Sequence, residues 1–369
     1  MDDVTAGFIG FGLIGGSIAR AMKQMNNNCT IIAYNYYKDK SNPNLEEALA
    51  DHTIDVIHTE LAVNFARCDI IFLCCPVLTN IKYLKELKSI VKPDCIITDV
   101  GSVKGNIHLA VTELGMDEYF IGGHPMAGSE KTGYQNSSST LLENAYYILT
   151  PTEVIEKWKI DTLYQLVKEI GALPLILDCN EHDDIVAAIS HVPHIIASTL
   201  VNMVQDSDDE QEKMRLLAAG GFKDITRIAS SSPIMWQNIC LTNTDSIVKF
   251  LKIYIHSLED MVESLTLADE ESLYRLFDSA REYRDSIPTK NVGLFKQVYE
   301  VYLDIIDEAG AIATIATILA SNNISIKNIG IIHNREFQEG VLRIEFYDEQ
   351  SSTQAVTLLK KYRYAIYER

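Results

Sequence analysis

Five short stretches hold residues whose types and spacing could do chemistry. In GFIGFGLIGGS, Gly10, Gly12 and Gly15 form GxGxxG between an apolar run and the helical SIARAMKQM. There the glycines allow a tight turn and close approach of backbone to a pyrophosphate, and the helix start supplies amides and a positive dipole. Gly10, Gly12, Leu13, Ile14 and Gly15 are therefore expected to hold a dinucleotide. Further on, Asn35 stands where an acid would accept the ribose 2′-hydroxyl of NAD, with Lys38 just beyond. An amide can bond that hydroxyl but lacks the charge that repels a 2′-phosphate, so NAD is expected and NADP stays open.

In ITDVGSVKG an apolar run ends in Asp99 and sets Ser102 and Lys104 among glycines. Either Ser102 caps a helix, or it meets nicotinamide or substrate at the carboxyl edge of a parallel sheet. GGHPMAGSE, Gly122 to Glu130, places an imidazole, a hydroxyl and a carboxylate among residues that cannot build a helix. It reads as an irregular loop after the apolar YFI, at the same predicted edge. His124 is thus a candidate for proton chemistry, with Ser129 and Glu130 within reach. SHVPH sets His191 and His194 one helical turn apart. A zinc site would need a third ligand, and none follows at a convincing spacing, so no metal is expected and one of the two is assigned to a cleft. GGFKDITRIASSSPIMWQN puts Lys223, Asp224 and Arg227 between a glycine pair and an aromatic segment. The planar fork of Arg227 suits a carboxylate, unless Asp224 simply bridges it.

The elements that must position these groups follow from the hydrophobic pattern. Over residues 1–178, short β-branched runs (VTAGFIG, TIIAYN, DIIFLCC, CIITDV, AYYILT, LPLILD) alternate with helical stretches. That pattern predicts an α/β domain with a parallel sheet wrapped by helices, a Rossmann domain given the glycine fingerprint. Over 179–290 the strand signal fades and long amphipathic stretches predict a mainly α domain. The polar patch RDSIPTKN reads as a linker, and 297–369 then spells βαββαβ, a split βαβ, ferredoxin-like module.

Composition excludes several function classes. With 51 acidic against 32 basic side chains and a formal charge of −19, the broad basic footprint for nucleic acid or anionic lipid is missing. Any anion must be caught locally. Seven scattered cysteines, two of them adjacent at Cys74 and Cys75 inside an apolar run, suit buried thiols in a reducing cytoplasm better than a disulfide framework. The acidic start lacks the basic n-region of a signal peptide, and no window approaches the ~18 uninterrupted apolar residues of a membrane span.

GFGLIGGS, TDVGSVKG, GGHPMAGSEKTG, SHVPH and GGFKDITRIASSSPIMW occur together and in order, and on these motifs the whole chain resembles the TyrA-type prephenate dehydrogenases with a C-terminal ACT domain. The resemblance implies oxidative decarboxylation of prephenate to 4-hydroxyphenylpyruvate, with reduction of NAD, in tyrosine biosynthesis. It implies that His124 is catalytic with Ser102, and that Arg227 binds substrate with His194, Ser129, Glu130 and Asp224 in support. It further implies a homodimer through the central domain, and feedback by L-tyrosine bound near Gly310 and Asn328 of the ACT domain. Arogenate dehydrogenase is the nearest alternative. A sensor that keeps the fold without chemistry would have no need of His124, Ser102 and Arg227 together. A β-hydroxyacid dehydrogenase should show a catalytic lysine on an interdomain helix, and no convincing candidate is present.

Overall fold

The computed structural model describes residues 4–25, 28–37, 40–128, 131–287, 299–305, 310–332 and 340–367. Lys38, Ser129, Glu130 and the second half of the RDSIPTKN patch lie outside the described residues. The chain divides into two compact units, Met1–Ile287 and Pro288–Arg369.

The first unit opens with β1 (Thr5–Ile9), α1 (Leu13–Met25), β2 (Thr30–Tyr34), α2 (Pro43–Ala50), β3 (Val56–His58), α3 (Leu61–Asn64), β4 (Ile70–Leu73) and α4 (Val77–Leu87). It continues with β5 (Ile96–Asp99), α5 (Gly105–Leu114), β6 (Phe120–Pro125), β7 (Tyr146–Pro151), α6 (Lys157–Glu169) and β8 (Leu173–Ile176). These strands form one sheet in the order β3-β2-β1-β4-β5-β6-β7-β8. Alternate residues of one strand enter different cores: Phe8, Ile31 and Phe72 pack on one face, Ile9, Ile32 and Ile71 on the other. Strands apolar on both sides are buried on both sides, as the sequence pattern required.

Two expectations need correction. The sheet is mixed, because β7 runs antiparallel to β6. The GGHP segment forms the last four residues of the six-residue strand β6 instead of a loop, with Gly122 opposite Thr150 and His124 opposite Ile148. Its glycines serve close packing: a Cβ on Gly123 would stand 2.5 Å from the carbonyl oxygen of Asp99, and one on Gly122 would overlap the Thr150 hydroxyl. Missing side chains are normally a sign of a turn, but here they let neighbouring strands approach.

The helical part comprises α7 (Cys179–Val186), α8 (Val192–Ser207), α9 (Lys213–Leu217), α10 (Gly220–Thr226), α11 (Pro233–Thr242), α12 (Thr244–Thr266) and α13 (Glu270–Ser286). A π turn, Ala187–His191, links α7 to α8. The fully buried core of this part is small, centred on Ala187, Val192 and Ile247, while Ile253, Leu258, Val262, Leu265 and Phe277 are exposed.

The second unit holds β9 (Tyr299–Ile305), α14 (Ala311–Ala320), β10 (Ile326–Ile332), β11 (Gly340–Phe346), α15 (Glu349–Lys361) and β12 (Ile366–Tyr367). This is the βαββαβ order read from the sequence, with a sheet ordered β10-β11-β9-β12 and every pair antiparallel. Val301, Leu303, Leu342 and Ile344 turn one face of that sheet onto Ile315, Leu319, Ala355 and Leu359 of the helices.

Candidate active site

Only three residues separate β1 from α1, and the first of them, Gly10, has φ +93°. A Cβ there would meet the Cys74 carbonyl carbon at 2.7 Å, so glycine alone lets β1 and β4 end side by side with the helix start above them. Over this turn lies a cavity of about 610 Å³, within the size range of cofactor sites. Its floor is Gly12 to Gly15 with Cys74 to Val77; its walls carry Ser102, His124 and Thr132; Met235, Asn238 and Ile239 of α11 close the far side. The three motif regions placed at the sheet edge by sequence thus share one cavity.

What brings Ser102 and His124 together is Asp99, the last residue of β5. One carboxylate oxygen accepts the Gly123 amide at 3.1 Å, and the other accepts the Gly101 amide at 2.9 Å and the Lys104 ammonium at 2.5 Å. Lys104 also donates to the Gly123 carbonyl at 2.8 Å. Both side chains of this ion pair are fully buried. Burial pulls the Lys104 ammonium below its ordinary value while Asp99 pulls the other way. The backbone preceding Ser102 and that preceding His124 are therefore tied to one fixed charge.

His124 is nearly buried, with Nδ1 2.7 Å from Nε2 of His182 on α7. His182 in turn sets Nδ1 2.8 Å from Oδ1 of Asp183. The Asp183 carboxylate accepts the backbone amides of Lys104 at 2.8 Å and Gly105 at 2.7 Å, at the start of α5. Burial, and then the neighbouring His182, Lys104 and His191, push the His124 pKa well below the usual histidine value. At neutral pH the ring is uncharged and can accept a hydrogen bond. Ser102 lines the cavity with His124, and the imidazole's hydrogen bond runs to His182.

The other predicted residues fall in two groups. Gly12, Leu13, Ile14 and Gly15 line the cavity; Asn35 does not. Its Oδ1 accepts the Tyr37 amide and its Nδ2 donates to the Lys40 carbonyl, so both ends of the amide shape the turn after β2 instead of facing a ribose. His194 lies outside the lining and stacks on Trp236 at 3.6 Å, one residue from Met235 in the wall. The His194 pKa is lowered, mainly by burial and partly by Arg227, which places the guanidinium close enough to act on the ring. Arg227 begins the 3₁₀ turn Arg227–Ser230, and Asp224 is exposed on α10; neither lines the cavity. His191 packs inside, with Nδ1 3.2 Å from Asn243. Among the described residues no cluster of three metal-binding side chains occurs.

His182, Asp183 and Trp236 were missed. Asp178 caps α7 through the Asn180 and Glu181 amides, and no motif in the sequence singles out His182 or Asp183. The Trp236 indole N–H is buried without a partner among the described residues, a donor that suits a ligand acceptor.

Burial lowers the His191 pKa to about 4 from 6.5. Between those values the unfolded chain binds a proton on this ring and the folded chain does not, so this stability is complete above the unfolded value and is lost as the pH falls. The loss amounts to about 3 kcal/mol by pH 4. Urea unfolding from pH 7 to 4.5 should show it, with a shallower slope in His191→Gln; an equal slope in both proteins would refute the assignment.

Comparison with known proteins places the fold in a family. Residues 18–175 match the family profile described as prephenate dehydrogenase, nucleotide-binding domain, and residues 178–279 the one described as prephenate dehydrogenase, dimerization domain. A prephenate dehydrogenase of Bacillus subtilis (strain 168) is 36% identical over 348 residues, which cover 94% of this chain and 93% of that protein. The structure of prephenate dehydrogenase from A. aeolicus in complex with hydroxyphenyl propionate and NAD+ superposes with a TM-score of 0.72 at 30% identity, covering 78% of this chain and 99% of the other. Synechocystis arogenate dehydrogenase superposes with a TM-score of 0.67 at 27% identity, over 76% and 99% of the two chains.

Proposed function

The chain belongs to the prephenate dehydrogenase family, and on that premise we propose that it converts prephenate to 4-hydroxyphenylpyruvate, releasing CO2 and reducing NAD, in tyrosine biosynthesis. The observation that carries this reading is a single cavity in which an uncharged histidine faces the glycine turn of a dinucleotide site. The cradle fits the coenzyme: side chains at Gly10 or Gly15 would collide with backbone, and the first turn of α1 presents amides where a pyrophosphate would lie. Bound NAD supplies the hydride acceptor.

The protein supplies the rest. His124 accepts the hydrogen bond of the ring hydroxyl and draws charge to its oxygen as hydride departs and the ring carboxylate leaves as CO2; aromatisation drives the step. Ser102, which also lines the cavity, shares that hydroxyl. Arg227 holds a substrate carboxylate, with His194 beside the side chain and the Trp236 N–H as a further donor. Ser129 and Glu130 support substrate binding, and Asp224 orients Arg227. Because Arg227 acts on binding and not on developing charge, Arg227→Ala should raise KM roughly 10- to 100-fold and leave kcat within a few-fold. A kcat that falls as far as KM rises would move Arg227 into the chemistry.

The decisive assay crosses prephenate and arogenate with NAD and NADP and follows reduced nicotinamide. The proposal expects turnover with prephenate and NAD. Turnover with arogenate alone would make the chain an arogenate dehydrogenase, and none with any pair would leave a binding protein.

We assign the helical part to a homodimer. The run Cys179–Ser207 is long and apolar enough to cross a membrane, and 28% of that window is buried. Its His182, Asp183 and His191 are engaged in the site, so a second protomer covers the exposed positions more naturally than lipid does. The C-terminal unit we assign as an ACT module that binds L-tyrosine. Gly310 precedes α14, and Asn328 is exposed beside an irregularity in β10 between Ile326 and Asn328. L-Tyrosine should inhibit the full-length enzyme, and Asn328→Ala should weaken that inhibition. Inhibition that is competitive with prephenate and unchanged in the variant would place tyrosine in the active site.

A further inference from the structure

We infer that His182 and Asp183 are positioning residues that fix the tautomer of His124, leaving its Nε2 lone pair as the acceptor in the cavity. The inference rests on the role proposed for His124 and goes beyond it by assigning the groups that create it. Its starting point is the carboxylate. Asp183 accepts two backbone amides, from Lys104 and Gly105, at the N-terminus of a ten-residue helix. Both of its oxygens therefore act as hydrogen-bond acceptors, at the positive end of that helix. An accepting carboxylate oxygen 2.8 Å from His182 Nδ1 requires a proton on that nitrogen.

With one proton per ring, His182 Nε2 is then a lone pair. At 2.7 Å from His124 Nδ1 it can only accept, so His124 carries its proton on Nδ1. His124 Nε2 remains as a bare acceptor in the cavity. The chain runs over 59 residues of sequence but only three side chains in space, and each link selects the next. The charges facing the pair are Lys104 with Asp99 on the sheet side, and His191 beyond His182. Asp183 is the carboxylate bonded directly to the pair, and as positive charge builds on His124 it steadies that charge through His182. The arrangement matches in logic a carboxylate that holds a catalytic imidazole in one tautomer, where amidation forces the wrong tautomer.

The test reads the tautomers directly. Long-range proton–nitrogen correlation spectra of the full-length protein labelled with ¹⁵N-histidine should show His124 and His182 each protonated on Nδ1 and bare on Nε2 at neutral pH. A His124 protonated on Nε2, or a doubly protonated His182, overturns the inference without any activity measurement. It does so even if the role of His124 stands, so the two failures are distinguishable.

Kinetics supply the second arm. Asp183→Ala removes the acceptor that holds a proton on His182 Nδ1, frees both rings to take the other tautomer, and should lower kcat roughly 10²- to 10⁴-fold while KM moves less than about threefold. His182→Gln keeps an acceptor opposite His124 Nδ1 and should retain kcat within about tenfold, whereas His182→Met offers only a weak thioether acceptor and should fall with Asp183→Ala. Equal kcat in the glutamine and methionine variants, both folded, contradicts the assignment.

Discussion

Replacing His124 by alanine is expected to lower kcat roughly 10²- to 10⁴-fold while KM changes little. The reasoning begins with burial: the ring is held uncharged by its surroundings, and an uncharged ring is the form able to accept from a hydroxyl. Its contribution grows as charge develops on oxygen, so its loss appears in turnover more than in binding. Because the ring sits at the cavity wall, the truncation should cost modest stability, and the variant should still bind NAD. A second consequence concerns pH. The acid limb of kcat should lie below the ordinary histidine range, since burial lowers the value at which the ring gains a proton. Unchanged turnover in a folded His124→Ala protein would remove His124 from the chemistry.

The second large effect is structural. Lys104→Met should destabilise the first unit by about 3–5 kcal/mol, because it leaves the Asp99 carboxylate buried without its counter-charge. The methionine fills the volume, so cavity formation is not the cause. Adding Asp99→Asn removes the uncompensated charge and retains an acceptor for one of the two amides, Gly101 or Gly123, so the double variant should recover part of the loss. Urea unfolding of the three proteins at neutral pH measures this. A loss below ~1 kcal/mol in the single variant would mean that the pair is solvated or dispensable. Since the same contacts fix the backbone before Ser102 and His124, kcat should fall further than stability alone accounts for.

The parts of the site that depend on local backbone chemistry were legible in the sequence. GxGxxG after an apolar run could only be a turn into a helix, and Ser102 and His124 were placed at one sheet edge by their position after apolar runs. What was not legible arises from contact between distant segments. Gly122 and Gly123 looked like loop residues because their close neighbours, Thr150 and Asp99, belong to other strands. The antiparallel β7 was hidden because strand direction leaves no mark in composition. His182 and Asp183 belong to no motif, and only the fold brings His182 against His124 with Asp183 behind it. Asn35 was assigned by spacing to the ribose, yet its hydrogen bonds lie within its own turn. The fingerprint located the coenzyme domain without locating every contact.

The central claim is that hydride transfer and loss of the ring carboxylate occur as one reaction in this cavity. The most direct measurement follows reduced nicotinamide and released CO2 together, in one vessel containing the full-length protein, prephenate and NAD. The account predicts that the two rise one for one, and that both disappear together in His124→Ala. Reduced nicotinamide without CO2, CO2 without reduced nicotinamide, or both persisting at the parent rate in the variant would contradict it.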